Sequence, residues 1–180
     1  MRIWKNVLLL LSLVGAGCSA VAADPVNLNI NISGTVVANG SCTFNKGVST
    51  TVEFAEVNFN AVDNGAVLTN NYRKSIPALM SCSGDSVGNA QMTLSSVGDN
   101  IINYEGNKLL SVRINNSNPG KELAIRLLVN GQPQDVNTPF AVDMLLQPAL
   151  QAELVQVGSG EGLISGATIN ASATLIMEFI

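Results

Sequence analysis

Few side chains of this 180-residue chain are of the kinds that carry out catalysis. The sequence has no histidine, so a serine or cysteine nucleophile would lack its usual imidazole base. Glu53 and Glu56 could act as a carboxylate pair, but such charges in a turn are far more often simply exposed. Gly158-Ser-Gly-Glu-Gly162 has the glycines of a phosphate-binding loop without the helix that should follow. We therefore expect that this protein is not an enzyme and that it binds no cofactor.

Residues 1–23 have the pattern of a secretory signal peptide. A positively charged start is followed by the apolar run 7–14, which is too short to span a bilayer, and then by small residues. Cleavage after Ala22 or after Ala23 fits this pattern, and we favour Ala23. Cys18 allows a second interpretation, in which this cysteine becomes a lipidated mature N-terminus of a self-contained β-sandwich. The residue three places before it is Gly15, where a lipoprotein signal prefers leucine, so this interpretation is not favoured.

The mature chain keeps two cysteines, Cys42 and Cys82. An even number in an exported protein predicts a disulfide, whereas zinc would need more ligands than this chain supplies. Loss of Arg2 and Lys5 with the signal lowers the formal net charge from −4 to −6. An acidic surface repels nucleic acid and anionic lipid. We therefore expect no nucleic-acid partner and, without a second long apolar segment, no membrane span.

The elements that must position these groups are strands. Turn residues such as Asn-Gly separate short apolar segments, and no segment has a sustained helical period. This pattern, with one disulfide, predicts a single all-β sandwich domain. The predicted strands are 26–37, 51–54, 75–82, 91–97, 109–115, 123–129, 149–157 and 168–179.

Both ends of the mature chain alternate between apolar and polar residues, which is the period of a half-buried strand. The apolar face of the first segment carries Val26, Leu28, Ile30, Ile32, Gly34 and Val36. The apolar face of the last segment carries Ile169, Ala171, Ala173, Leu175, Met177 and Phe179. A chain that ends inside a strand needs a neighbour on each side, or it leaves an exposed edge. By alternation alone, the first segment is simply a strand of the domain's own sheet.

The order of these features resembles the pilin subunits of chaperone–usher fimbriae, most closely the minor (adaptor) subunits of type 1-like pili. The resemblance covers the whole chain. It rests on the signal peptide, an alternating extension that contains Gly34, and the cysteines Cys42 and Cys82. It rests also on Gly166, fourteen residues before the end, and on a penultimate aromatic residue, Phe179. That position usually holds tyrosine, so the ring is kept and a hydroxyl is lost.

The resemblance implies an incomplete immunoglobulin-like β-sandwich, residues 37–180, that lacks its final strand. Residues 24–36 would be a donor-strand extension, with Gly34 where the groove of a neighbour admits no side chain. A periplasmic chaperone would fill the groove first, and at the outer-membrane usher the extension of the next subunit would replace it. The expected groove residues of the C-terminal strand are Gly166, Ile169, Ala171, Ala173, Leu175, Met177, Phe179 and Ile180.

These implications predict a structural subunit of a cell-surface pilus that contributes to cell adhesion, with a minor tip or adaptor position. Its partners would be a periplasmic chaperone, an usher and neighbouring pilins. The alternative is a single-domain carbohydrate-binding adhesin, which the aromatic content of 4% does not favour, because few rings are available for sugar stacking. A rod subunit and a terminator with a blocked groove share this sequence pattern with a tip adaptor, so the sequence leaves the position in the fibre undecided.

Overall fold

The computed structural model describes residues 41–84, 89–117, 121–143 and 146–180, with the exception of the Asp99 side chain. The predicted signal peptide and the predicted donor extension lie outside the described residues. Within the described ranges the regular secondary structure consists of strands and two short 3-10 turns, Asn45–Gly47 and Val97–Asp99. The prediction of an all-β chain is therefore confirmed.

The strands are short, as the spacing of turn residues requires. They are β1 (Ser41–Phe44), β2 (Phe59–Val62), β3 (Gly65–Leu68), β4 (Tyr72–Ser75), β5 (Met80–Ser83), β6 (Ala90–Ser96), β7 (Ile101–Tyr104), β8 (Asn107–Ser111), β9 (Arg113–Ile114), β10 (Leu123–Val129), β11 (Gln132–Gln134), β12 (Phe140–Val142), β13 (Leu150–Gln156), β14 (Ile169–Asn170) and β15 (Ala173–Phe179).

Two antiparallel sheets make up the sandwich. The larger has the order β4-β13-β10-β8-β7, with β11 also paired to β10, and the smaller has the order β12-β6-β15. One core cluster contains Leu94 of β6 together with Leu110 and Leu127 of the larger sheet, and Leu175 of β15 packs against it. Because this cluster draws residues from both sheets, the two sheets face each other, as in an immunoglobulin-like fold.

The other pairings are short. β1 pairs with β5, β2 with β3, and β14 with β9. A second core cluster joins Leu123 and Leu154 of the larger sheet to Ala66 of the β2–β3 hairpin and to Ile114 of β9. The hairpin is also held by a backbone bond of 3.1 Å from Ala66 N–H to the Ser159 carbonyl.

Turn chemistry accounts for the tight connections. Asn130 and Gly131 link β10 to β11 with φ of 52° and 80°, which are the two left-handed residues that a two-residue hairpin turn requires. The Asn130 side chain also accepts a hydrogen bond of 2.9 Å from the Ala149 N–H, which fixes the turn to the start of β13. This Asn-Gly pair therefore closes a hairpin and also anchors a neighbouring strand.

Several predicted strands differ from the observed ones. The predicted strand 51–54 is wrong, because this segment has no sheet partner and Phe54 instead packs its ring on the second core cluster. The predicted strand 75–82 is interrupted between β4 and β5, where Pro77 has no N–H to donate. The predicted strand 168–179 is two strands, β14 and β15, that belong to different sheets.

Candidate functional site

The C-terminal strand β15 is paired on one side only within the described residues. It runs antiparallel to β6 from the pair Ala173–Ser96 to the pair Phe179–Ala90. The strand β6 has β12 on its other side, whereas β15 ends the sheet. The side of β15 that faces away from β6 is called the open edge below.

The backbone bonds at both ends of β15 determine which residues face the open edge. Val97 N–H donates to the Ser172 carbonyl at 3.2 Å, and Ile180 N–H donates to the Asn89 carbonyl at 2.9 Å. In an antiparallel pair, residues that bond to the partner alternate with residues that do not. Even-numbered residues of β15 therefore direct their backbone toward β6, and the N–H and C=O groups of the odd-numbered residues point to the open edge. These residues are Ala173, Leu175, Met177 and Phe179.

The same strand is apolar on its inner face. Leu175, Met177 and Phe179 point toward the interior but are only partly buried, whereas Met92 and Leu94 on the adjacent strand β6 are 1% and 8% exposed. On the outer face, Ile180 is 70% exposed. The open edge thus combines backbone groups that no described strand pairs with incompletely covered apolar side chains, which is a surface that favours pairing with another strand.

The structure separates the residues that the sequence placed on one strand. Ile169 lies in β14 and packs on the second core cluster, while Leu175 packs on the first. Ala171 lies in the break between β14 and β15 and is exposed. Gly166 lies before β14 with φ of 85°, a left-handed conformation that favours glycine. The strand proper therefore contributes Ala173, Leu175, Met177 and Phe179.

The predicted disulfide is confirmed. Cys42 of β1 and Cys82 of β5 are direct register partners, with an S–S distance of 2.06 Å and a Cα–Cα distance of 4.0 Å. Asn45 N–H donates to the Leu79 carbonyl, so by alternation Cys42 is at a position that is not hydrogen-bonded to β5, where Cα atoms lie closest. The same alternation directs the backbone of Phe44 away from β5.

A charged ladder crosses the outer face of the larger sheet. The Glu153 carboxylate contacts Arg73 at 2.7 Å and Arg126 at 3.1 Å, and Arg126 also contacts Glu105 at 2.9 Å. Burial raises the pKa of the Glu153 carboxyl, but hydrogen bonds and attraction from Arg73 and Arg126 outweigh it and hold that pKa below its usual value. The sequence analysis missed this ladder, because its members are far apart in the chain.

A pocket of about 250 Å³ opens where the chain passes from β14 to β15. Its walls combine polar residues and the aliphatic side chains of Val97 and Leu110. The polar lining residues are Asn100, Ser111, Arg113, Asn116, Asn170 and Ser172. Asn170 donates to the Asn116 side chain at 2.8 Å, and the Arg113 guanidinium has no hydrogen bond or ion pair with any described residue.

The two acidic residues considered for catalysis lie at the surface. Glu53 and Glu56 are both exposed. The described parts of the chain contain no group of three or more histidine, cysteine, aspartate or glutamate residues that could hold a metal ion. Within the same ranges, no helix is long and apolar enough to cross a membrane.

These features define the class of the fold: an immunoglobulin-like β-sandwich with one disulfide and, within the described residues, a terminal strand that is paired on one side. The family model described as Fimbrial protein matches residues 30–179, and the chain belongs to this family. It is therefore a structural subunit of a surface appendage, and its family associates it with other pilin subunits. A comparison with the curated proteins gives no match.

Proposed function

We propose that this protein is a pilus subunit that assembles by donor-strand exchange after export to the periplasm. A chaperone strand first covers the open edge of β15, and at the outer-membrane usher the N-terminal extension of a neighbouring subunit replaces it. The observation that carries the proposal concerns four residues of one strand. Their outward backbone groups have no partner among the described strands, and three of them have incompletely buried large apolar side chains.

The donor side of the proposal rests on residues 24–36. Val26, Leu28, Ile30 and Ile32 alternate with polar residues, so an extended segment presents all four side chains to one face. Each large aliphatic side chain that becomes fully buried contributes about 1.5–3 kcal/mol. Together with backbone bonds to the open edge, four such side chains account for a fibre that needs no covalent links. We place the subunit at a minor adaptor position that contributes to adhesion.

The accepting side is tested with synthetic strands. The mature chain, residues 24–180, is melted alone and with peptides that copy the N-terminal extensions of candidate partner pilins, including its own residues 24–36. We expect a marginal domain whose melting temperature rises strongly with at least one peptide, because added strands cover apolar surface and satisfy backbone groups. A domain that melts high alone and ignores every peptide would contradict donor-strand exchange and favour a self-contained sandwich.

A scrambled peptide is the matched control for the melt. It has the same composition as the effective peptide but lacks its alternation, so it cannot direct its apolar side chains to one face. Stabilisation by the scrambled peptide would indicate nonspecific hydrophobic binding, and it would remove the support that the effective peptide gives.

A second candidate function, binding of a small carbohydrate, is favoured by the pocket beside Arg113. No described residue accepts a hydrogen bond from the Arg113 guanidinium, and the Asn116 amide keeps N–H groups that the bond from Asn170 does not use. This mixed lining suits a compact polyhydroxylated ligand that carries a carboxylate, since arginine binds carboxylates through paired donors. Binding to a glycan array should be lost in Arg113→Gln and kept in the exposed control Lys46→Gln. Equal binding by both variants would exclude this pocket.

A further inference from the structure

Two methionines lie opposite each other across the pair β6–β15 and differ in burial. Met92 of β6 is 1% exposed, and its register partner Met177 of β15 is only partly buried. The strand β6 has neighbours on both sides, whereas β15 has the open edge. The difference in burial therefore follows from the position of each strand in the sheet, and it leaves Met177 partly exposed to solvent.

We propose that Met177 is a site of oxidation by peroxide-class oxygen donors and that its sulfoxide hinders strand addition. The Met177 sulfur attacks one oxygen of hydrogen peroxide, the O–O bond breaks, and that oxygen becomes the sulfoxide oxygen. The other oxygen leaves as hydroxide and becomes water after proton transfer. Sulfur loses two electrons and the peroxide gains two, so the step needs no further reactant.

The effect on assembly follows from the surroundings of Met177, and it rests on the proposed function. Its neighbours on the inner face of β15 are Leu175 and Phe179, and its partner across the sheet is Met92. None of these side chains donates a strong hydrogen bond to a sulfoxide oxygen. The N–H of Met177 itself points to the open edge, where an added strand would use it. An added strand would thus cover a polar oxygen that has lost its water, which is unfavourable.

Strand addition should in turn protect Met177 from oxidation. A strand that occupies the open edge covers Met177 and shields its sulfur, because oxidation of methionine requires contact with the oxidant. Oxidation should therefore act on subunits that have not yet received a strand and should spare those that have. Met177 would distinguish the two states through one chemical property, the accessibility of its sulfur.

The test uses the mature chain with Met80→Leu and Met144→Leu, so that Met92 and Met177 are its only methionines. Leucine and methionine have similar volumes, and such exchanges are well tolerated. The protein is exposed to hydrogen peroxide, with and without the strand peptide that stabilises it in the melt, and oxidation at each methionine is followed by mass spectrometry. We expect Met177 to be oxidised several-fold faster than Met92 in the free protein and to be protected by the peptide.

The second measurement is the affinity for the same peptide after oxidation. We expect it to fall about tenfold, the change that ~1.4 kcal/mol of unfavourable polar burial produces. The variant that also carries Met177→Leu is the control, and its affinity should not change after peroxide treatment. Equal oxidation of Met92 and Met177, or equal binding by the oxidised protein, would overturn the inference while leaving strand capture intact. Failure of the untreated protein to capture any strand would overturn the proposed function, and the inference with it.

Discussion

Replacement of Ala173 by proline should leave the isolated domain stable and weaken its capture of a partner strand. Ala173 is exposed, and its N–H points to the open edge, so the substitution removes a donor that no described strand uses. Proline is found in sheets on edge strands whose N–H side faces solvent. We expect the free energy of unfolding to change by less than about 0.5 kcal/mol, as for other surface substitutions.

Thr174→Pro is the matched control, one residue along the same strand. Thr174 is also exposed, so little side-chain packing is lost, but its N–H points toward β6, where Ser95 is its register partner. Proline at this position removes a bond of the sheet ladder and places its ring against the neighbouring strand. The expected loss of stability is about 3 kcal/mol, by analogy with proline inside a helix.

The effect on strand capture is worked out from a single backbone bond. A hydrogen bond contributes about 0.5–1.5 kcal/mol net, so Ala173→Pro should weaken binding of a strand peptide about two- to tenfold. Because the only tryptophan, Trp4, lies in the predicted signal peptide, unfolding in urea is followed by circular dichroism. Capture is followed by anisotropy of a labelled peptide.

Two outcomes would refute the reasoning. If Ala173→Pro destabilises the free domain as much as Thr174→Pro does, the backbone of the odd-numbered residues does not face an open edge. If Ala173→Pro is stable and binds the peptide as tightly as the unsubstituted protein, a captured strand does not pair with this part of β15. Either result would contradict the hypothesis that a partner strand pairs with the backbone of β15 at Ala173.

The other predictions concern the charged ladder, the disulfide and the donor segment. Glu153→Gln should lower the free energy of unfolding by about 2 kcal/mol at pH 7. Because the pKa of Glu153 is lowered in the folded state, this difference from wild type should persist above pH ~4.5 and shrink as the pH falls below that value, as measured by urea titrations. Joint replacement of Cys42 and Cys82 by alanine should lower the unfolding free energy in urea by about 4 kcal/mol, because the closed loop spans 40 residues; an unchanged midpoint would contradict this. Ile30→Asp should preserve chaperone binding and prevent incorporation into a neighbour, and normal incorporation in a fibre-assembly assay would refute the donor role. Deletion of residues 175–180 should abolish chaperone capture in a pull-down, whereas a stable, soluble truncated protein would show that this strand is not the capture site.

Local patterns in the chain predicted much of the fold. The short apolar run 123–129, which is followed by the turn residues Asn130-Gly131, predicted β10 at its observed bounds, Leu123–Val129. The β2–β3 hairpin was missed although Asn64-Gly65 lies at its turn, where Asp63 and Asn64 connect the strands and Gly65 begins β3, because its strands are short and largely exposed. The strand predicted at 51–54 failed for the opposite reason, since its apolar residues pack on the core without a sheet partner.

The sequence by itself determined the fold class, the choice of Cys42 and Cys82 as a pair, and the apolar character of the last segment, because composition and alternation follow directly from residue order. Only the tertiary structure decided that this segment divides between two sheets, that the backbone of Ala173, Leu175, Met177 and Phe179 faces the open edge, and that Glu153 lies between two arginines. These properties depend on which strands become neighbours. Arg73 and Glu153 are 80 residues apart in the chain and meet only through the register of β4 and β13. Alternation specifies which way a side chain points, whereas pairing specifies what it meets and which backbone groups remain available to another strand.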